Sequence, residues 1–181
     1  MTGAIDILNA SPLMREHLGE LSGAVSSLFR LPVRARQFEF DFDEAYDGSR
    51  RQYNSTVLVA QMLAAEDSPK MIAIVDVDLY IPVLTFIFGE AQFGGRAAIV
   101  STYRLNNVFY GLREDQPVLL HRLEKEVVHE LGHTYGLYHC RQFECVMRSS
   151  TYVEEIDLKR ALPCGECMNV LQATFNHPVT S

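Results

Sequence analysis

The sequence predicts an α/β fold in which a mixed, twisted sheet is packed with helices and followed by a small C-terminal subdomain. Over the first 136 residues, short apolar runs of strand length alternate with helix-spaced apolar residues, which is typical of a sheet covered by helices. Roughly the last forty residues lack strand patterning, and all four cysteines lie between residues 140 and 167. A length of 181 residues favours one domain. We expect residues 1–136 to form its α/β part and residues 137–181 its C-terminal subdomain.

The N-terminal elements follow from local patterns. Residues 4–8 form an apolar run that predicts a strand, and Ser11 with Pro12 can begin a helix. Helical spacing then links Leu13, His17, Leu21, Val25 and Leu28. The alternation of Phe38, Phe40 and Phe42 with acidic residues predicts a strand with one exposed face. A second helix is expected over about residues 51–65.

The next elements include the longest predicted helix. Residues 71–77 (MIAIVDV) form an almost continuous apolar run, which predicts a central strand covered on both faces. The segments VLTFIFGE and RAAIVSTYRL are further strand candidates, one of them at a sheet edge. Asp115 and Pro117 begin a long helix that continues through Thr134 and ends near Gly136. Thr151 and Glu154 form a capping box for a helix that reaches about Leu162.

Composition excludes several classes of protein. A hydrophobic content of 48% argues against a disordered chain. The net charge of -7 disfavours a nucleic-acid partner, and a zinc ribbon that binds nucleic acid would need a basic stripe. The chain shows no secretory signal and no apolar stretch long enough to span a membrane, so we expect a cytoplasmic protein without a membrane partner.

The long helix carries the motif HELGHTYGLYH at residues 129–139. Residues four apart project from the same helix face, so His129 and His133 can bind one metal ion. His139 cannot lie on that face if the helix continues, but Gly136 can end the helix and turn the chain back. Three imidazoles would leave a fourth zinc position open, as in catalytic sites.

The residue next to the first histidine completes the predicted chemistry. Bound zinc would activate water and polarise a scissile carbonyl, and Glu130 would act as general base and later pass the proton to the leaving amine. The alternative, a helix with three chance histidines, is improbable because glutamate and glycine would also have to fall at fixed positions. His17 and His121 fit no such pattern and are expected to be ordinary helix histidines.

The four cysteines form two close pairs. Cys140 and Cys145 give C-x4-C, and Cys164 and Cys167 give C-x2-C after eighteen intervening residues. This spacing is typical of a closed, structural zinc site with four thiolate ligands. Two disulfides or four unrelated thiols are the alternatives. We therefore expect two zinc ions per chain, one catalytic and one structural.

With these residues in place, the sequence resembles the metzincin metallopeptidases, and within them the archaemetzincins. HELGHTYGLYH matches the extended zinc motif of the metzincins, and CRQFECVM followed by CGEC matches the cysteine pattern of the archaemetzincins. The spacing from Met147 to Cys164 is one residue short of the usual pattern. The resemblance implies a metzincin-like fold, with Met147 as an apolar floor beneath the histidines and a cleft along an edge strand where an extended peptide binds. It also suggests Tyr152 as a candidate to assist the oxyanion, although its spacing favours a structural tyrosine.

The leading hypothesis is a zinc metallopeptidase that acts on peptides or exposed chain ends. The competing hypothesis is a catalytically silent zinc-binding module that recognises a protein partner through the four-cysteine subdomain. Aminopeptidase and endopeptidase activity both remain open, and the sequence indicates no oligomeric state.

Overall fold

The computed structural model describes residues 3–176. The strands are β1 (Ile5–Asn9), β2 (Val33–Gln37), β3 (Tyr46–Asp47), β4 (Gln52–Asn54), β5 (Lys70–Val75), β6 (Leu79–Tyr80), β7 (Gly89–Ala91) and β8 (Ala97–Ser101). The α-helices are α1 (Leu18–Phe29), α2 (Phe42–Ala45), α3 (Ser55–Ala65), α4 (Gln116–Thr134), α5 (Val153–Asp157) and α6 (Gly165–Asn176). Short 3-10 helices cover Pro12–Met14 and Asn107–Tyr110. Among these residues, no helix is both long and apolar enough to cross a membrane.

The main sheet has five strands in the order β2-β1-β5-β8-β7. The first four are parallel, and β7 pairs antiparallel with β8 at one edge. A smaller sheet has the order β3-β4-β6. The predicted mixed α/β architecture is confirmed, and the edge strand comes from the segment VLTFIFGE and not from RAAIVSTYRL.

The central strand β5 is buried on both faces, as its apolar run predicts. Ile72 and Ile74 belong to a core shared with α1, α4 and the C-terminal segment. Met71 and Ala73 point the other way, into a second core that includes α3. Helices therefore cover both faces of the sheet, and α4 lies on the face that also contacts residues 137–176.

Helix α4 begins and ends as its sequence predicts. The carboxylate of Asp115 accepts a hydrogen bond from the backbone N–H of Val118 at 3.1 Å, which caps the first turn. At the other end Gly136 has φ of 83°, a left-handed conformation that favours glycine. The N–H of Leu137 then donates to the carbonyl of Gly132 at 3.0 Å. This turn reverses the chain directly after the helix.

The strand predicted at Phe38, Phe40 and Phe42 is wrong. Strand β2 ends at Gln37, and Phe42 begins α2. The three rings contact each other instead, with centroids 4.7 Å and 5.6 Å apart, and pack against the second core. Their alternation therefore reflects an aromatic cluster in an irregular segment.

Two predicted helices are shorter than expected. Helix α3 begins only at Ser55, because Asn54 caps it and residues 52–54 pair as β4. Helix α5 begins at Val153. The predicted capping pair of Thr151 and Glu154 is wrong, because the carboxylate of Glu155 accepts from the N–H of Thr151 and Tyr152.

The end of α5 is set by another part of the chain. The ammonium group of Lys125 on α4 donates to the carbonyls of Ile156 and Asp157, at 2.9 Å and 3.1 Å. These carbonyls are satisfied without a further helical turn. The helix predicted to reach Leu162 therefore stops at Asp157.

Candidate metal centres

The three histidines of the motif meet at one point beside α4. His129 and His133 lie one helical turn apart, and the turn at Gly136 brings His139 back to them. One ring nitrogen of each histidine lies within 4.8 Å of the others. The structure thus assembles the group that the spacing predicts.

Backbone carbonyls orient two of the rings. Nδ1 of His129 lies 2.8 Å from the carbonyl oxygen of Val146, and Nδ1 of His133 lies 2.7 Å from that of Leu137. Since a carbonyl only accepts, each Nδ1 donates its proton, and each Nε2 is left with a lone pair.

The two Nε2 atoms lie 3.1 Å apart. Facing lone pairs at this distance repel each other unless a cation binds between them. A tetrahedral zinc with bonds of about 2.0 Å would separate two ligand nitrogens by roughly 3.3 Å. The histidine group therefore fits zinc.

The protonation of the histidines also suits metal binding. Burial lowers the pKa of His129 well below its usual value and lowers the pKa of His133 and His139 as well. The imidazoles are therefore neutral near pH 7, which is the form that binds metal ions.

The side chain of Glu130 extends from α4 towards the edge strand β7. Its side chain is so close to the backbone of Gly89 that a Cβ atom at residue 89 would lie 2.7 Å from its Cγ. Burial raises the pKa of Glu130 well above its usual value, and the charge of Glu126 adds to this effect. A carboxyl group with a raised pKa is better suited to accept and return a proton near neutral pH.

A cavity of about 300 Å³ opens beside these groups. Its walls come from the segment that leads into β7, from α4 and from residues 149–151. His129, Glu130 and His139 line it. The cavity therefore places the buried carboxyl group, the histidines and the sheet edge around one space.

Met147 packs against the helical turn between the two α4 histidines. It is fully buried, and a Cβ atom at Gly132 would lie only 2.5 Å from its Sδ. Its carbonyl accepts a hydrogen bond from the N–H of Cys140 at 2.9 Å. The side chain of Met147 thus packs on α4 at Gly132, and its carbonyl binds the start of the cysteine segment at Cys140.

The four cysteine sulfurs form a second group within 4.8 Å of one another. The sulfurs of Cys140 and Cys164 are 3.7 Å apart, and those of Cys145 and Cys167 are 3.8 Å apart. A disulfide would require about 2.05 Å. A tetrahedral zinc with Zn–S bonds of about 2.3 Å places its sulfurs roughly 3.8 Å apart, so the group fits zinc.

Backbone N–H groups point at two of these sulfurs. The N–H of Gln142 donates to Cys140 at 3.4 Å, and the N–H of Cys164 donates to Cys145 at 3.2 Å. Such donors stabilise thiolates, which are the form that binds zinc.

The structure also shows residues that the sequence did not indicate. Glu126, one turn before Glu130, is buried and forms an ion pair with buried Lys159 at 3.6 Å. Burial raises the pKa of Glu126, and the charge of Lys159 opposes the shift. The spacing of four residues between Glu126 and Glu130 could have placed Glu126 on the same helix face. No pattern in the sequence predicts that Lys159 contacts Glu126.

Three other candidate residues lie outside both groups. His17 and His121 line a groove between α1 and α4, and neither is part of a metal-ligating group in residues 3–176. Tyr152 is 65% exposed and precedes α5. His121 lies in α4, as expected of an ordinary helix histidine, whereas His17 lies in the turn directly before α1.

Comparison with known proteins gives consistent matches. A family model described as peptidase family M54 matches residues 33–173. The archaemetzincin of Haloquadratum walsbyi is 35% identical over 170 residues, 92% of this chain and 98% of that protein. The archaemetzincin of Methanocaldococcus jannaschii is 41% identical over 128 residues, 71% of this chain and 70% of that protein.

Solved structures show the same likeness. The crystal structure of an archaemetzincin from Methanopyrus kandleri gives a TM-score of 0.86 at 29% identity and covers 97% of this chain and 96% of that one. A zinc-dependent peptidase from Methanocorpusculum labreanum gives a TM-score of 0.77 at 29% identity, with 93% and 98% covered.

Proposed function

This chain belongs to peptidase family M54, the archaemetzincins, and is a zinc metallopeptidase; we propose that it hydrolyses peptide bonds with Glu130 as the general base. One observation carries the proposal. Two neutral imidazoles face each other across 3.1 Å, and a buried carboxyl group lies beside the same cavity. A buried base next to an open metal site is the arrangement that water activation requires.

Each side chain of the site has a separate proposed role. His129, His133 and His139 would hold the zinc, which supplies a Lewis acid and lowers the pKa of a water molecule. Glu130 takes a proton from the attacking water and returns it to the leaving amine. Gly136 places the third ligand, and Met147 supports the helix that carries the first two.

The free edge of the main sheet is evidence for a peptide or protein substrate. Among residues 3–176, strand β7 pairs with β8 on one side and with no strand on the other, so its free side can pair with an extended peptide by backbone hydrogen bonds. The contact between Gly89 and Glu130 places that edge directly beside the proposed base. Short peptides and exposed chain ends are the substrates that such an edge can accept.

We assign a second, structural zinc to Cys140, Cys145, Cys164 and Cys167. The fit of the sulfur distances to a tetrahedral site supports two zinc ions per chain. On this basis we propose that the chain is one peptidase domain with a C-terminal subdomain, predicted over residues 137–181 and described by the structure over 137–176, that the structural zinc stabilises. Cysteines that bind zinc and form no disulfide are typical of a reducing compartment, which supports a cytoplasmic location.

The test is Glu130→Gln, which keeps the shape of the side chain and removes its ability to take a proton. We expect unchanged zinc content and a loss of peptide hydrolysis of about 10²- to 10⁴-fold. Glu124→Gln, on the same helix, is the matched control and should keep full activity. Equal turnover in Glu130→Gln would exclude Glu130 as the base. A zinc-loaded wild-type protein that cleaves nothing in a broad peptide library would favour the silent interaction module.

A further inference from the structure

Two exposed aromatic side chains contact each other beside the histidine site. The rings of Phe93 and Tyr138 have centroids 4.4 Å apart, and their planes are inclined by 38°. Phe93 is 52% exposed and Tyr138 is 75% exposed, and neither ring belongs to the two apolar cores. Contiguous apolar surface that stays in water often marks a binding surface. We call these two residues the aromatic pair.

The backbone fixes the position of Phe93. It lies in the tight turn that joins β7 to β8, where the N–H of Gly95 donates to the carbonyl of Gln92 at 3.0 Å. The N–H of Gly94 in the same turn donates to the carbonyl of His133 at 2.9 Å. The tip of the β7–β8 hairpin is therefore attached to the end of α4, at a residue of the histidine site.

The position of Tyr138 is fixed by the same site. It directly precedes His139. It directly follows Leu137, whose carbonyl oxygen lies 2.7 Å from Nδ1 of His133. Both members of the aromatic pair therefore lie on backbone that contacts the histidine site.

The aromatic pair lies along the path proposed for the peptide. Gly89, the first residue of β7, contacts Glu130, and Phe93 follows four residues later. At about 3.3 Å per residue, Phe93 lies at most about 13 Å along the chain from that contact. A peptide that pairs with β7 and passes Glu130 in this direction reaches the aromatic pair about two to four residues from the scissile bond.

The cavity beside the histidines lies at the other end of the same edge. It is lined by the segment that leads into β7, whereas Phe93 lies beyond the last residue of that strand, Ala91. The cavity and the aromatic pair would therefore contact different residues of one bound peptide.

The exposed rings restrict the chemistry of the side chain that they can bind. Tyr138 contacts Phe93 on one side only, so a further ring can stack against it and bury apolar area on both partners. A lysine or arginine would stay hydrated at so exposed a site and would gain less. A small side chain would cover little of either ring.

We propose that Phe93 and Tyr138 form a subsite that selects an aromatic side chain in the peptide, two to four residues from the scissile bond. The selection applies to the peptidase activity proposed above and rests on it.

The test begins from a peptide that the zinc-loaded protein cleaves. Each position within four residues of the scissile bond, on both sides, is replaced in turn by Phe, Leu, Lys or Ala, and kcat/KM is measured. We expect Phe to be preferred over the other three at one position two to four residues from the bond. Equal or higher kcat/KM for Leu or Lys at all of these positions would overturn the subsite.

Three variants assign the preference to the two rings. Tyr138→Ala and Phe93→Ala should each lower the ratio of kcat/KM for the Phe peptide to that for the Ala peptide by about three- to tenfold. A ratio within one variant is unaffected by a change in zinc occupancy, which lowers both values equally. Tyr138→Phe keeps the ring and should keep the ratio.

The matched control is Tyr103→Ala. Tyr103 follows β8 at the opposite end of the hairpin, is 42% exposed, and also contacts a phenylalanine, with its ring centroid 5.3 Å from that of Phe109. This variant should keep the wild-type ratio. An unchanged ratio in Tyr138→Ala, or an equal loss in Tyr103→Ala, would contradict the assignment.

Failure of the subsite differs from failure of the proposed function. Cleavage without aromatic preference leaves the peptidase proposal standing and excludes the subsite. If the zinc-loaded protein cleaves no peptide, fluorescence anisotropy of labelled Phe-containing and matched Ala-containing peptides decides the subsite. Selective binding of the Phe peptides that is lost in Tyr138→Ala supports the subsite without the peptidase mechanism, and equal binding excludes both.

Discussion

The three histidines and the four cysteines are held by very different parts of the chain. His129 and His133 lie on a helix of nineteen residues that packs against the main sheet. The cysteines lie between residues 140 and 167. The regular structure of this segment before α6 is one helix of five residues, α5. Packing on the sheet can hold the histidines in place without metal, whereas the cysteine segment has little backbone structure of its own.

The two centres are nevertheless joined. Cys140 directly follows His139, and Val146, which directly follows Cys145, accepts the hydrogen bond from His129. We expect the histidine site to depend on the cysteine site, and not the reverse. The carbonyl of Val146, in the cysteine segment, orients the ring of His129, whereas α4 can fold without its histidines. Loss of the cysteine site should therefore damage both centres, and loss of the histidine site only one.

The largest effect is expected for Cys164→Ser. Loss of a thiolate should release the structural zinc and destabilise the protein by on the order of 4 kcal/mol, which is about 10 °C in Tm. Metal analysis should show fewer than one zinc per chain, because the histidine site loosens as well. Arg141→Ser, an exposed neighbour of Cys140, is the control. A variant that keeps a full histidine-site zinc would show that the two centres are independent.

His133→Ala should have a smaller effect on stability. We expect zinc content to fall from two to one per chain, peptide hydrolysis to disappear, and Tm to fall by less than in Cys164→Ser. His121→Ala, on the same helix and outside both groups, should keep both metals. Loss of both zinc ions in His133→Ala would contradict the one-directional dependence.

Gly132→Ala tests the contact between α4 and the segment after the histidines. Its Cβ would lie 2.5 Å from Sδ of Met147 and 3.3 Å from Cδ1 of Leu137. We expect destabilisation of about 1–3 kcal/mol in urea unfolding, because a packed interior cannot absorb the added methyl group. Gly23→Ala in α1 meets nothing within 4 Å and should instead stabilise that helix by roughly 0.5–1 kcal/mol. Similar results for the two variants would mean that Met147 moves aside easily.

The smallest effect is expected for Lys70, which contacts the last residue of α4. Lys70 on β5 donates to the carbonyls of Thr134 and Gly95, and burial lowers its pKa from 10.5 to about 8. Between these values the unfolded chain binds more protons than the folded protein, so stability rises with pH by at most about 1.4 kcal/mol per unit. Lys70→Met should lose this contribution in urea unfolding at pH 8 and pH 10. An unchanged pH dependence would show that Lys70 titrates normally.

The sequence predicts the elements that are set by neighbours along the chain. Helix α4 is confirmed because its cap, its apolar spacing and Gly136 are all local features. Strand β5 is confirmed because a strand buried on both faces must be apolar at every position. The Phe38 to Phe42 segment failed, because rings that pack on each other in an irregular segment mimic the spacing of a strand.

The candidate site divides in the same way. HELGHTYGLYH and the two cysteine pairs are short motifs with fixed spacing, so the groups that the structure assembles are those the sequence named. The pairing of Glu126 with Lys159 was missed, because Glu126 lies on α4 and Lys159 lies far along the chain, in the bend after α5.

The sequence by itself determined the chemistry of this protein: which side chains can hold metal, which carboxylate lies beside them, and which helix carries them. These features depend on residue identity and on spacings of a few residues, which backbone geometry converts directly into position. Only the tertiary structure decided what surrounds that chemistry. The edge strand beside Glu130, the carbonyl that orients His129 and the contact of Phe93 with Tyr138 all come from long-range packing, which no local pattern in the chain encodes.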